Sequence, residues 1–215
     1  MKINRIFIFV LFMVILLALT PGCSSVSGTT TITQPFQIPD NFTTYTDENS
    51  LFSIAYPNQW EPLSQSELTS LYAQVKDAIN SIKSGEDVDK ASMIFMAGKK
   101  TGNGYYPYAG IVVEPAPSVV FTNGLAVQAA VKGIKQLASS YQEISRIKTM
   151  VNGKDAAILE YTAQFTSTTL LMHNVVLICL SGKTIWSVSC SATDTDYNHF
   201  SSDYNIVLRS FQIKN

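Results

Sequence analysis

Apolar and polar positions alternate from Leu51 to Pro57, with Phe52, Ile54 and Tyr56 on one side and Ser53 and Ala55 on the other. A period of two marks a half-buried strand. At Ser64 the period changes. Leu68, Leu71, Tyr72, Val75, Ala78, Ile79 and Ile82 recur at spacings of three and four, which predicts an amphipathic helix from Ser64 to Gly85. Ser64-Gln65-Ser66-Glu67 is a capping box at its start, and Lys83 and Gly85 are stop signals. The charged run 86–90 reads as a solvated turn. Strands follow at 92–97 and 109–114. A second helix is expected over about 124–140, capped by Asn123, with Val127, Ala130, Val131, Ile134, Leu137 and Tyr141 as its stripe. Gly133 within it points to close packing, since glycine weakens a helix interior. Four strands come next, at about 143–151, 155–165, 169–180 and 185–192. The last helix, about 195–209, carries Tyr197, Phe200, Tyr204, Val207, Leu208 and Phe211 at helical spacing, with Asp194 and Asp196 favouring its N-terminus.

The turns give the topology. Asn152-Gly153 joins the first two of the four strands as a tight hairpin, and Gly182-Lys183 joins the last two. Hairpins build an antiparallel sheet. Val175, Leu177 and Cys179 point one way and Val176, Ile178 and Leu180 the other, so this strand is apolar on both sides and needs cover on both. The predicted architecture is α+β: an α/β/α sandwich of about seven antiparallel strands and three amphipathic helices. With Gly182-Lys183 as a two-residue turn, Cys179 faces Trp186 and Cys190 faces Val175. The two sulfurs then lie four positions apart on one face, roughly 13 Å at strand rise. A disulfide needs Cα atoms within about 7 Å, so two buried free thiols are expected.

The N-terminus follows a different pattern. Lys2 and Arg5 precede fourteen unbroken apolar residues, Ile6 to Leu19, and then Thr20-Pro21-Gly22-Cys23. This is the layout of an export signal. Fourteen helical residues cover roughly 21 Å, short of a bilayer's apolar core of about 30 Å. Its end resembles a lipoprotein cleavage box, with small Gly22 before Cys23, although Thr20 stands where that box usually has Leu. Residues 1–22 are read as a lipoprotein-type signal peptide and Cys23 as the lipidated N-terminus. Seven of the ten residues 24–33 are Ser or Thr, and Pro35 and Pro39 follow. Residues 23–40 therefore read as a Ser/Thr-rich tether and 41–215 as one globular domain.

Composition narrows the function. The 215 residues are 46% apolar and 14% charged, too apolar for a disordered chain. The net charge is −1, and removal of Lys2 and Arg5 with the signal leaves it at −3. No basic face is implied, so no nucleic-acid partner is expected. Three cysteines and two histidines leave no usual metal set, and no cofactor motif stands out. Gly182-Lys183-Thr184 lacks the upstream glycine of a phosphate loop, with Leu177 in its place. Ser145 and Lys148 have the spacing of an acyl-transfer pair, but a strand sends them to opposite faces. His173 and His199 read as structural hydrogen-bonding groups, and Asp194-Thr195-Asp196 as helix capping. No catalytic set is evident.

Phe52-Ser53-Ile54-Ala55-Tyr56-Pro57-Asn58-Gln59-Trp60 resembles the opening strand of PsbP-like proteins. Gly153, Ala156, Ala157, Glu160 and Tyr161, and the closing Ser210-Phe211, are similar too. The resemblance covers most of 50–213. It implies an antiparallel sheet between helices in a group that includes a photosystem II extrinsic subunit, a Ran-binding nuclear-import factor and many bacterial envelope lipoproteins. Those members mostly bind other proteins and share no catalytic residues. The expected function is that of a non-enzymatic, exported, lipid-anchored envelope protein on the extracytoplasmic face of a membrane, binding another protein or complex. The alternative is a carrier for a small apolar ligand or lipid. The stretch 99–108, with Lys99, Lys100, Tyr105, Tyr106 and Tyr108 around two glycines, is expected to be a Gly-rich partner-binding loop.

Overall fold

The computed structural model describes residues 36–82, 91–101, 104–117, 121–165 and 169–214. Residues 1–35, with the expected signal peptide, Cys23 and most of the expected tether, and the expected turn at 86–90 lie outside the described residues.

Seven strands form the main sheet. They are β3 (Glu61–Pro62), β4 (Ser92–Thr101), β5 (Gly104–Pro115), β6 (Ala138–Val151), β7 (Lys154–Phe165), β8 (Leu171–Ser181) and β9 (Thr184–Thr193). Their spatial order is β3-β4-β5-β9-β8-β7-β6, and every neighbouring pair is antiparallel. A second, three-stranded sheet, which the periodicity does not predict, holds β1 (Phe42–Thr46), β2 (Phe52–Pro57) and β10 (Gln212–Ile213) in the order β1-β2-β10. The 52–57 strand thus belongs to this small sheet and not to the main one, whose seventh strand is the two-residue β3. A two-residue strand carries no period to read.

Helix α1 (Gln65–Ile82) packs on β4, α2 (Asn123–Leu137) on β6, β7 and β8, and α3 (Tyr197–Ser210) on β2 and β9. The capping box is made at α1: the Ser64 amide donates to Glu67 Oε2 at 2.8 Å, and the Glu67 amide donates to Ser64 Oγ at 3.4 Å. Two helix ends differ from expectation. The cap of α2 is Thr122, whose hydroxyl accepts from the Leu125 amide at 3.3 Å, and the helix passes directly into β6 at Ala138. At α3, Asp196 sits at the cap position, yet its side chain makes no capping hydrogen bond.

The double-sided apolar pattern of β8 has its reason here. Val175, Leu177 and Cys179 join Trp186, Val188 and Cys190 in a core closed by β2 and α3. Ile178 joins Ala157, Ile185 and the Ala126–Ala130 stripe of α2 on the opposite face. Pairing in β8 and β9 follows the predicted register, with Cys179 opposite Trp186 and Cys190 opposite Val175. Both cysteines are free and buried. Asn152 and Gly153, at φ of 49° and 76°, turn the β6–β7 hairpin in the left-handed region such a two-residue turn needs.

The stretch expected as a Gly-rich loop is largely strand. β4 runs on to Thr101 and β5 starts at Gly104, so the two extend as one long hairpin with a bulge between Gly98 and Lys100.

Candidate functional site

Helix α3 packs over β9, β5 and β8, and a groove lies between it and the neighbouring β6–β7 side of the main sheet. Tyr197, Ser201, Tyr204, Asn205, Leu208 and Arg209 repeat at three and four and form one wall. Ser145, Ile147 and Thr149 of β6, Ile158 and Glu160 of β7 and Val175 of β8 form the floor, since alternate strand positions share a face. The groove encloses about 290 Å³ and is mainly apolar.

A polar cluster closes its end nearest the start of α3. Glu160 Oε1 accepts from the Tyr197 hydroxyl at 3.1 Å and lies 2.9 Å from His173 Nε2. Glu160 Oε2 accepts from Ser145 Oγ at 3.0 Å. The other ring nitrogen of His173, Nδ1, faces Asp194 Oδ1 at 3.2 Å. The His173 ring lies flat on Tyr197, centroids 3.4 Å apart and planes within 3°. Burial pushes the Glu160 carboxyl up, but the hydrogen bonds from His173, Ser145 and Tyr197 outweigh it and hold the group below its ordinary value. Burial, with the charge of Glu160, pushes the Tyr197 phenol up. A carboxylate oxygen only accepts, so both contacts of His173 are satisfied when each ring nitrogen carries a hydrogen. The cluster ties β7, β8 and the β9–α3 connection together.

The cluster's one aliphatic hydroxyl, Ser145, donates to the carboxylate of Glu160 and not to a ring nitrogen of His173. Ser145 and Lys148 take opposite faces, as pairing with Glu160 and Ala157 requires. Gly182 and Lys183 form a hairpin turn. His199 is exposed on the first turn of α3. Among the described residues no group of three or more His, Cys, Asp or Glu side chains could hold a metal ion.

The sequence-predicted interaction residues are scattered by the long hairpin. Lys99 and Lys100 are exposed in β4, and Lys100 lies 3.8 Å from Glu61. Tyr105 pairs with Lys100 through the backbone. Tyr108 is only 2% exposed. The Tyr106 hydroxyl accepts from the Thr193 amide and donates to Asp196 Oδ2, which draws its ring inward. Asp196 is thus occupied by Tyr106 and Thr193, and Asp194 by His173, which is why neither side chain caps α3. Of these tyrosines, Tyr106 and Tyr108 are thus drawn towards the domain.

The cluster itself was not evident from the sequence. Glu160 and His173 sit in β7 and β8, whose connection is longer than a two-residue turn, so turn length does not set their register. Asp194 arrives through a third strand. The available signal was chemical: Glu160 and His173 are titratable residues in the interior of β7 and β8, away from the strand ends.

Against known proteins, no family model and no curated sequence matches this chain. Solved structures do. The cyanobacterial PsbP, CyanoP, from Synechocystis sp. PCC 6803 superposes with a TM-score of 0.52 at 12% identity, over 90% of this chain and 98% of that one. LpqN, a protein of Mycobacterium tuberculosis involved in cell envelope biogenesis, gives 0.49 at 10% identity over 87% and 90%. The first match, with the antiparallel sheet and helices described above, shows that this chain has the PsbP-like fold.

Proposed function

We propose that this chain is a non-catalytic accessory protein of the cell envelope, exported, anchored by lipid at Cys23, and docked through its folded domain on another protein or complex. The observation that carries the reading is the position of the groove relative to the entry of the chain. Phe36 sits over the Arg209 guanidinium, 4.6 Å from ring centroid to Cζ, and Arg209 lines the groove. The anchor-bearing segment therefore meets the domain beside the groove. Twelve residues lie between Cys23 and Phe36, and the thirteen residue steps reach about 45 Å at full extension. A partner in or near the same membrane falls within that reach. The apolar floor of Ile147, Ile158, Val175 and Leu208 suits an apolar side chain of a partner, and the polar cluster gives the site a fixed end. The resemblance to PsbP-like proteins adds support.

Chemical crosslinking and capture from native membranes test this, with Cys23→Ser as the control. The expected result is one stoichiometric protein partner with the anchored form and its loss with Cys23→Ser. Absence of any protein partner at every crosslinker length, together with an apolar molecule extracted from the purified chain, would overturn docking in favour of a carrier.

A further inference from the structure

Of the residues that line the groove two are charged, Glu160 and Arg209, and they stand at opposite ends of its α3 wall. Glu160 accepts from Tyr197 in the first turn of α3, and Arg209 lies in the last turn. Twelve helical steps separate Tyr197 from Arg209, roughly 18 Å. Neither charge is cancelled in place. Glu160 and Asp194 flank a single imidazole, His173, and the carboxylate of Asp196 lies close by on the hydroxyl of Thr193. That end is net negative whether His173 is charged or neutral. Tyr197, His173 and Ser145 fill three of roughly four acceptor positions on Glu160, so one more donor finds a place on Oε2. At the other end Arg209 is exposed, carries the Phe36 ring over its guanidinium, and has no carboxylate partner among the described residues. Its guanidinium is a fork of donors that matches a carboxylate.

We propose, building on docking at the groove, that the docked segment is an extended stretch of a protein partner with a basic side chain at the Glu160 end, apolar side chains at alternate positions over the floor, and an acidic side chain at the Arg209 end. Charge complementarity selects this occupant. A lipid gathers its charge in one headgroup and leaves the other end of the groove unmatched. The enclosed 290 Å³ also lies at the lower bound of small-molecule pockets, about 300–1,000 Å³. A helix about 10 Å across and long enough to reach both charges does not enter it. An extended chain does: six residue steps cover roughly 20 Å and send every second side chain to the floor. Ser201 and Asn205, between the two ends of the wall, offer polar groups to its backbone.

Three synthetic heptapeptides test the charge pattern, each acetylated and amidated so that only side chains carry charge. The first is Lys-Thr-Leu-Thr-Leu-Thr-Glu; the second has Lys at both ends and the third Glu at both. In isothermal titration calorimetry with the full chain in detergent, the first should bind roughly tenfold or more tightly than either of the others, because a like charge at one end is repelled. Arg209→Glu should invert the order, weakening the first peptide roughly tenfold and making the peptide with two Lys the tightest. Misfolding cannot produce that gain. The inference is overturned if the three bind alike, if none binds (a lipid extracted from the chain would then name the occupant), or if Arg209→Glu leaves the order unchanged. Capture from native membranes reads docking separately. A partner still crosslinked at the groove after such a result leaves docking standing and removes only the charge pattern assigned to the docked segment.

Discussion

Ser210 joins the two ends of the domain. Its hydroxyl accepts from the Ala55 amide at 2.8 Å and donates to the Val207 carbonyl at 2.7 Å, all within the core between β2 and α3. Replacement by Ala leaves a buried amide without a partner, and Ser210→Ala should cost about 1–3 kcal/mol in denaturant unfolding; an unchanged midpoint would count against this role. Glu114 is the opposite case. It is 3% exposed, and neither carboxylate oxygen has a hydrogen-bond partner. Burial raises its pKa from 4.5 to about 8. Below pH 4.5 both folded and unfolded chains hold the proton and burial carries no ionisation penalty. Above it the unfolded chain ionises first, so stability falls as pH rises towards 8, by on the order of 3 kcal/mol at neutral pH. Glu114→Gln should remove that slope. Parallel stability curves for the two proteins between pH 5 and 8 would show that Glu114 is not its source. A carboxyl before Pro115 in an apolar run looks from sequence like a strand ending in solvent; its burial comes from layers above the sheet that no local pattern describes.

Helices and two-residue hairpins were the legible elements. The α1 capping box and the Leu68, Leu71 and Val75 part of its stripe, the Asn152-Gly153 turn and the Gly182-Lys183 register all rest on contacts between near neighbours in sequence, and each is present. The caps of α2 and α3 were misjudged for physical reasons. Thr122 caps one residue earlier than Asn123, and the aspartates before α3 are drawn off by groups from distant strands. The long β4–β5 hairpin was misread because its glycines and tyrosines look like a loop, whereas Tyr108 is held in the core by strands far along the chain. The start of α3 depends on the His173 bridge. His173→Ala should leave Glu160 and Asp194 without their common partner and cost about 1–3 kcal/mol. Amide exchange should quicken in the first turn of α3 and stay unchanged in β8 and β9. Uniform loosening of the sheet instead would mean that His173 serves the core and not the helix.

At the scale of the whole molecule, the sandwich with helices on both faces was readable from the double-sided apolar pattern of β8. The second sheet was not, because β10 has two residues and pairs with a strand more than 150 positions away. The groove belongs to the same class: it lies between α3, built at one end of the chain, and the strands β6 and β7. Its use as a docking surface is the central claim, and site-specific photocrosslinking in native membranes addresses it most directly. A photoreactive residue at Asn205, exposed on the groove wall, is compared with one at Lys183, exposed in the β8–β9 turn. A single protein adduct from position 205, absent from position 183 and lost with Cys23→Ser, is the predicted result. Equal labelling from both positions, or a protein adduct from 183 alone, would contradict docking at the groove.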